Sequence, residues 1–187
     1  MAKIQRAKRL RELPFGRRYI GIVADLRGPA LSDSSVAILG GSLADMVLFE
    51  ALEAYRMRRD PDADDGFPRS IPREFGRRIE VGARANLFGQ WVYEDLDVIR
   101  EIRDVSAHGV EPFEFTDPRI SVHADGLHFA ASGFRYEGRR APESARERFV
   151  HVVEWVTDLL LTDARRRSRG MRGASLMKAG GPASVKK

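Results

Sequence analysis

The sequence predicts an all-α fold, a compact bundle of four or more helices. Apolar residues recur at helical spacing in several long segments, and capping residues, glycines and prolines separate those segments. Little of the chain alternates as a strand would, and no tandem repeat of fixed period is visible, so a solenoid is not expected. At 187 residues, the chain is long enough for one domain with a hydrophobic core.

The strongest helical pattern runs from Ser32 to Arg59. Ser32, Asp33 or Ser34 can cap the helix. The pair Gly40-Gly41 inside it costs about 1 kcal/mol per glycine relative to alanine. Either a neighbouring helix approaches closely there or the helix bends, and we favour close packing. The 3.6-residue period passes through Val36, Leu39, Leu43, Met46, Val47, Glu50 and Ala54. A weaker pattern predicts a short helix from Ala2 to Leu13, ended near Pro14.

Two more helices are predicted in the middle of the chain, after a loop from Asp60 to Pro72. One runs from Phe75 to Phe88 and is closed by Gly89. The other runs from Val92 to His108 and ends at Gly109. Its expected buried residues are Val92, Leu96, Ile99, Ile102 and either Val105 or Ser106.

The last third of the chain combines short features with one long helix. Residues 113–115 form a brief irregular or β-like stretch, and Asp117-Pro118 is typical of the N-cap and first position of a short helix. Residues 121–140 are ambiguous. A final helix is predicted from Pro142 to about Arg167, with Phe149, Val152, Val153, Val156, Leu159 and Leu160 inward.

The net charge of +5 is unevenly distributed and divides the chain into three parts. Residues 1–18 form a basic segment of charge +6, and residues 164–187 have charge +8, which leaves −9 on the helical domain at 19–163. The last segment has few large apolar residues, so we interpret it as a disordered tail, overlapping the end of the final helix. Its candidate nucleic-acid-binding residues are Arg165, Arg166, Arg167 and Arg169.

Composition excludes several classes of function. The chain has no cysteine, hence no disulfide or thiolate chemistry. No targeting segment is visible and charged residues interrupt the apolar stretches, so we expect a cytoplasmic protein that does not span a membrane. The acidic loop at 60–66 departs from the calcium-loop pattern, and no histidine pair has helical metal-ligand spacing. No metal or cofactor is predicted, and no phosphate loop or serine-hydrolase elbow is present.

The candidate site is the segment 103–108, Arg-Asp-Val-Ser-Ala-His, at the end of a helix. Arg103 could hold a phosphate while His108 moves a proton, as metal-independent RNA cleavage requires. Five helical steps rotate a side chain by about 140°, so the pair shares a face only if the helix relaxes near Gly109. The alternative is structural: His108 caps the helix, and Arg103 pairs in the neighbourhood of Glu101, with Asp104 or with a residue on another helix.

This segment resembles the Arg-polar-x3-His signature of the HEPN superfamily, small helical proteins that commonly dimerise with their signatures facing each other. Four further segments resemble the mannitol operon repressor family, so that the likeness covers roughly residues 32–120. They are Ser32–Gly40, Phe75–Ile79, Asp97–Asp104 and Phe115–Ile120. The resemblance implies an all-helical fold and a role in transcriptional regulation without a familiar DNA-binding motif. From HEPN ribonucleases it implies catalytic roles for Arg103 and His108, supported by Asp104.

Three functions remain open on the sequence. The first is a regulatory protein that acts through protein contacts, as a homodimer. The second is a metal-independent endoribonuclease of the toxin or defence type, whose site, formed by Arg103, Asp104 and His108, lies at a dimer interface. The third is a protein that binds RNA or DNA mainly through its basic tail.

Overall fold

The computed structural model describes residues 15–59, 66–109, 113–128 and 142–168. In those ranges the chain forms six helices and no strand, which confirms the all-α bundle. In chain order they are α1 (Phe15–Arg27), α2 (Asp33–Arg56), α3 (Phe75–Arg84), α4 (Gln90–His108), α5 (Pro118–Asp125) and α6 (Ala145–Ser168).

Helix α2 forms the centre of the bundle and packs most extensively against α6 and α4. By length and composition it could cross a membrane, with a mean hydropathy of 1.6 over its most apolar window. Over half of that window is buried inside the bundle, as in the core helix of a soluble protein. Its buried residues are Val36, Ala37, Gly40, Gly41, Leu43, Ala44, Val47, Leu48, Ala51 and Leu52.

The two glycines of α2 allow the close helix packing that the sequence predicts. A Cβ on Gly40 would lie 2.8 Å from the Phe149 ring on α6. A Cβ on Gly41 would lie 2.6 Å from the Arg103 Cβ on α4. Adjacent residues on a helix point about 100° apart, so each glycine accommodates a different neighbour. Helix α2 continues through the pair as regular α-helix.

Helix α1 is absent from the sequence prediction. It begins at Phe15 and crosses the expected boundary between the basic segment and the domain. Leu26 is fully buried, and the Tyr19 hydroxyl donates to the backbone oxygen of Glu154 on α6 (3.1 Å). The apolar positions Tyr19, Ile22, Val23 and Leu26 follow helical spacing, but the adjoining arginines obscure that pattern. The helix predicted from Ala2 to Leu13 lies outside the described residues.

Local hydrogen bonds determine where the helices begin and end. Ser32 caps α2 by accepting from the Ser35 backbone N–H (3.2 Å), and Asp117 caps α5 by accepting from the Arg119 N–H (2.9 Å). Both caps agree with the sequence prediction. Helix α6 begins with a capping box that the prediction did not include, in which Ser144 and Glu147 bond each other's backbone N–H (3.1 Å each).

The predicted end of α3 is wrong by one turn. The helix ends at Arg84, because Asn86 adopts a left-handed backbone conformation (φ 52°). The Leu87 N–H then bonds the Gly82 carbonyl (3.0 Å), as in a Schellman motif. Gly89, expected to close this helix, is instead the residue before α4, in an extended conformation. Residues 113–115 are irregular, and Phe115 packs on Phe149 (ring centroids 5.2 Å apart).

The start of the predicted disordered tail is also corrected. Residues 164–168 belong to α6, and Ala164 is buried because the last turns of the helix still contact the core. Residues 169–187 lie outside the described part of the chain, as do most of the ambiguous residues 121–140, of which 121–125 belong to α5.

Candidate functional site

The segment 103–108 lies on the last turns of α4, which remains regular as far as His108. The Gly109 N–H donates to the Val105 oxygen (2.9 Å), and the chain becomes extended only at Gly109. Arg103 and His108 therefore keep the separation of an ideal helix, about 140° in direction and about 7.5 Å along the axis. The relaxation that would bring the two side chains to one face of α4 does not occur.

Arg103 is directed toward α2 and α3. Its guanidinium lies 3.8 Å from an Asp45 carboxylate oxygen on α2, and its Cζ lies 5.7 Å from the centre of the Phe75 ring on α3. Its stem occupies the space that Gly41 leaves open. Only 29% of the side chain is exposed. The structural interpretation from the sequence, pairing of Arg103 with carboxylates, matches this geometry.

Asp104 pairs with two arginines on its own helix. One carboxylate oxygen lies 3.2 Å from Arg103, and the other lies 3.4 Å from Arg100. Arg100 also pairs with Asp97 (2.7 Å) and Glu101 (3.5 Å). Arg103 therefore stands between Asp104 and Asp45, and its charge is largely compensated within the chain.

Asp45 joins this network to α3. Its carboxylate accepts a hydrogen bond from Arg78 (2.6 Å), whose Nε donates to the Pro72 oxygen (2.7 Å). Burial raises the pKa of Asp45 above 3.8, while the nearby charges of Arg78 and Arg103 act in the opposite direction. Asp45 thus connects Arg78 on α3 with Arg103 on α4.

His108 is exposed at the end of α4. Helical geometry places it within about 40° of Asp97, Glu101 and Asp104 around the axis. All three carboxylates pair with Arg100, so this side of α4 carries charges of both signs. The sequence left open whether Val105 or Ser106 faces inward. The Ser106 hydroxyl donates to the Ser34 backbone oxygen (3.3 Å), whereas Val105 is 52% exposed. Of the two alternatives for the inward position, Ser106 is therefore the one that packs toward α2.

A cleft of about 870 Å³ opens between α4 and α5. Ile102, Val105, Phe113 and Ile120 supply its apolar wall. Its charged residues come from both helices and from the connection between them: Arg100, Glu101, Asp104, Asp117, Arg119 and His123. His123 lies 3.9 Å from Glu101 across the cleft, and Arg119 is bonded to Asp117, which lowers the pKa of that carboxyl.

The arginines predicted to bind nucleic acid lie at the end of α6. Arg165 and Arg166 are exposed, and Arg167 belongs to the same helix. Arg169 lies outside the described residues, as does the acidic loop at 60–65. In the part of the chain that the structure describes, no three histidine or carboxylate side chains converge as a metal site requires.

Sequence reasoning predicted Asp104 as a partner of Arg103 but did not identify Asp45, its partner on another helix. Asp45 and Arg78, which pairs with it, are far from Arg103 in the chain, and only the packing of three helices brings them together. Two signals were present in the sequence: the glycine pair, and an aspartate interrupting the most apolar helix. The cleft could not have been found in the same way, because it depends on where α5 packs.

Comparison with protein-family models, with curated proteins and with solved structures found no match. The resemblance to the mannitol operon repressor family and to the HEPN superfamily therefore stays a prediction.

Proposed function

We propose that this chain is a regulatory protein that acts through protein contacts, and that the α4–α5 cleft is its contact surface. The observation that carries the proposal is an exposed apolar side chain in the wall of this cleft. Val105 on α4 is 52% exposed, and Phe113, another apolar residue of the lining, is partly exposed. Apolar residues exposed in a polar cleft are typical of a protein interaction site.

The charges of the cleft support a protein partner over a phosphate-bearing one. Arginines and carboxylates alternate along it, so it has no strong field of one sign. A partner segment with an apolar side chain between residues of both charges would complement it.

The state of Arg103 supports the same choice. Binding a phosphate would require Arg103 to exchange its contacts with Asp45 and Asp104 for a new anion. Asp45 would then depend on Arg78 alone. Arg103, as one chain presents it, is better suited to stabilising the helix packing than to holding a phosphate for RNA cleavage.

The proposal is tested by a photo-crosslinking amino acid placed at Val105 in living cells. We expect a discrete protein adduct that survives ribonuclease treatment of the lysate. The matched control places the same amino acid at Ile20, which is 67% exposed on α1, and should give no such adduct. A Val105→Asp variant should abolish the adduct of a crosslinker placed at Arg119, an exposed residue that lines the cleft from α5, while circular dichroism shows an unchanged fold. Equal adducts at Ile20 and Val105 would contradict the proposal.

One observation favours the endoribonuclease as a second candidate. His108 is exposed at the helix end, so a second copy of the chain could bring its Arg103 to that imidazole. The test incubates purified protein with mixed RNA in EDTA and compares it with His108→Ala. Products ending in 2′,3′-cyclic phosphate, lost in the variant, would support the ribonuclease. Light scattering of the same samples should then show the predicted homodimer. RNA that stays intact at high protein concentration excludes this candidate.

A further inference from the structure

A second surface pocket lies where α2 ends, beside the last turn of α3. A pocket of about 260 Å³ opens there, lined by aromatic, apolar and basic residues. We call it the α2–α3 pocket. Its lining includes Tyr55, Phe67, Pro68, Val81, Arg84 and Asn86.

Two aromatic rings form one side of this pocket. The Tyr55 and Phe67 rings lie 5.0 Å apart at an angle of 46°, and both side chains are partly exposed. The Arg59 guanidinium lies 5.5 Å from the centre of the Phe67 ring. Planar π surfaces beside arginines are what proteins use to stack the bases of single strands.

Arginines extend from the pocket along α3. Arg77 and Arg84 are seven residues apart, which places them within about 20° of each other on the helix and about 10 Å apart along it. Arg77 makes an exposed ion pair with Glu80 (3.0 Å), and the Arg84 Nε donates to the Glu80 backbone oxygen (3.4 Å). Exposed ion pairs are weak, so a phosphate can replace Glu80 at little cost.

The charge of this segment differs from that of the domain around it. Residues 66–86 carry five arginines and two glutamates, a charge of +3, within a domain whose charge is −9. Arg69 and Arg73, just before α3, are exposed and continue the basic surface.

We propose that the α2–α3 pocket and the adjoining arginines of α3 bind single-stranded nucleic acid. One base enters the pocket against Tyr55 and Phe67, and the phosphates on either side contact Arg84 and Arg77. This binding site is separate from the α4–α5 cleft and does not depend on the proposed regulatory contact. Four aspartates at positions 60, 62, 64 and 65 precede the pocket in sequence, so the binding should be weak and strongly dependent on salt.

The test measures fluorescence anisotropy of labelled 12-nucleotide U-rich RNA and T-rich DNA with the full chain at several salt concentrations. Arg84→Gln should weaken binding and lower the slope of log K against log salt by about 0.7, the value for one phosphate contact on a single strand. Phe67→Leu should weaken binding by about fivefold or more with an unchanged slope, because it removes stacking and no charge. Circular dichroism and thermal melts show whether each variant folds.

Arg119→Gln is the matched control, since it also removes one exposed arginine but lies on α5 beside the other cleft. It should leave the affinity unchanged. Equal weakening by Arg84→Gln and Arg119→Gln would overturn the proposal, because it would show that the oligonucleotide is held by general electrostatic attraction and not at the α2–α3 pocket. The proposal also fails if neither oligonucleotide binds, or if polyglutamate displaces them as well as polyuridine does.

Discussion

Gly41 and Arg103 show how one small residue positions a charged one. Alanine in place of glycine inside a helix normally stabilises it by about 1 kcal/mol. At position 41 the added Cβ would lie 2.6 Å from the Arg103 Cβ and 2.8 Å from its Cγ, atoms too close to the backbone to swing away. We expect Gly41→Ala to lower the free energy of unfolding by about 1–2 kcal/mol, measured by urea denaturation, because overpacking exceeds the gain in helix propensity.

Gly21 in the middle of α1 offers the matched comparison. Nothing lies within 4 Å of a Cβ at that position. Gly21→Ala should therefore raise the free energy of unfolding by up to about 1 kcal/mol. If both variants were stabilised alike, the close contact between Gly41 and Arg103 would be wrong.

Asp45 gives a prediction about pH. Burial raises its folded-state pKa above 3.8, so between pH 3.8 and that raised value the folded protein binds more protons than the unfolded chain. The contribution of Asp45 to the free energy of unfolding then falls as the pH rises through this window. We expect the difference between wild type and Asp45→Asn, measured by urea denaturation from pH 3.5 to 6.5, to decrease with pH. A difference that increases would mean that Arg78 and Arg103 outweigh burial.

At the scale of the element, the start of α6 depends on Ser144. Its hydroxyl accepts from the Glu147 N–H (3.1 Å). Ser144→Ala should therefore destabilise the protein by about 1 kcal/mol, as loss of an N-cap does. Ser42, exposed in the middle of α2, is the control, and its replacement by alanine should not lower the melting temperature. Equal melting temperatures for the two variants would contradict a role for the capping box.

The end of α6 separates two truncations. Removing residues 169–187 leaves the whole helix, whereas removing residues 164–187 also deletes its last turn with the buried Ala164. We expect only the longer deletion to lower the free energy of unfolding, by about 1 kcal/mol, from the loss of buried apolar surface. Thermal melts of the two truncated chains and the full chain test this. Identical melting temperatures would support a tail that begins at residue 164, as the sequence predicts.

The elements that the sequence predicts well are those whose signals are local. The Ser32 cap and the Asp117-Pro118 start of α5 lie within a few residues, and the structure contains both. Of the apolar period predicted for α2, Val36, Leu43 and Val47 are buried and Leu39, Met46 and Ala54 are partly buried, whereas Glu50 is exposed. The turn after α3 was misplaced because Asn86, and not the more usual glycine, adopts the left-handed conformation. Within the candidate site, the carboxylate partner on Arg103's own helix was predictable, but Asp45 was not, since a contact across 58 residues depends on the packing of whole helices.

At the scale of the whole molecule, the uneven charge bears on nucleic-acid binding. Residues 169–187 carry five Lys and Arg and no acid, next to a domain of charge −9. We expect replacement of those five by glutamine, at constant chain length, to lower the salt slope of binding to mixed-sequence DNA. Arg84→Gln tests the α2–α3 pocket as a local binding site. The glutamine variant of residues 169–187 tests whether the positive charge of that segment attracts nucleic acid without a defined site. An unchanged slope would show that the tail makes no phosphate contact.

The adjacent glycines of α2 also constrain which changes in chain length the protein can accept. Gly40 faces Phe149 on α6 and Gly41 faces Arg103 on α4. Two consecutive positions of α2 therefore fix where both neighbouring helices pack against it. Inserting or deleting a single residue between Asp33 and Gly40 would rotate everything before the pair by about 100° relative to everything after it. Asp33 accepts hydrogen bonds from the Phe115 N–H (2.8 Å) and from Arg146 (2.7 Å), and these bonds could not then form together with the two glycine contacts. Among proteins of this fold, we therefore expect length variation to fall in the loops and the spacing from Asp33 to Gly41 to be invariant.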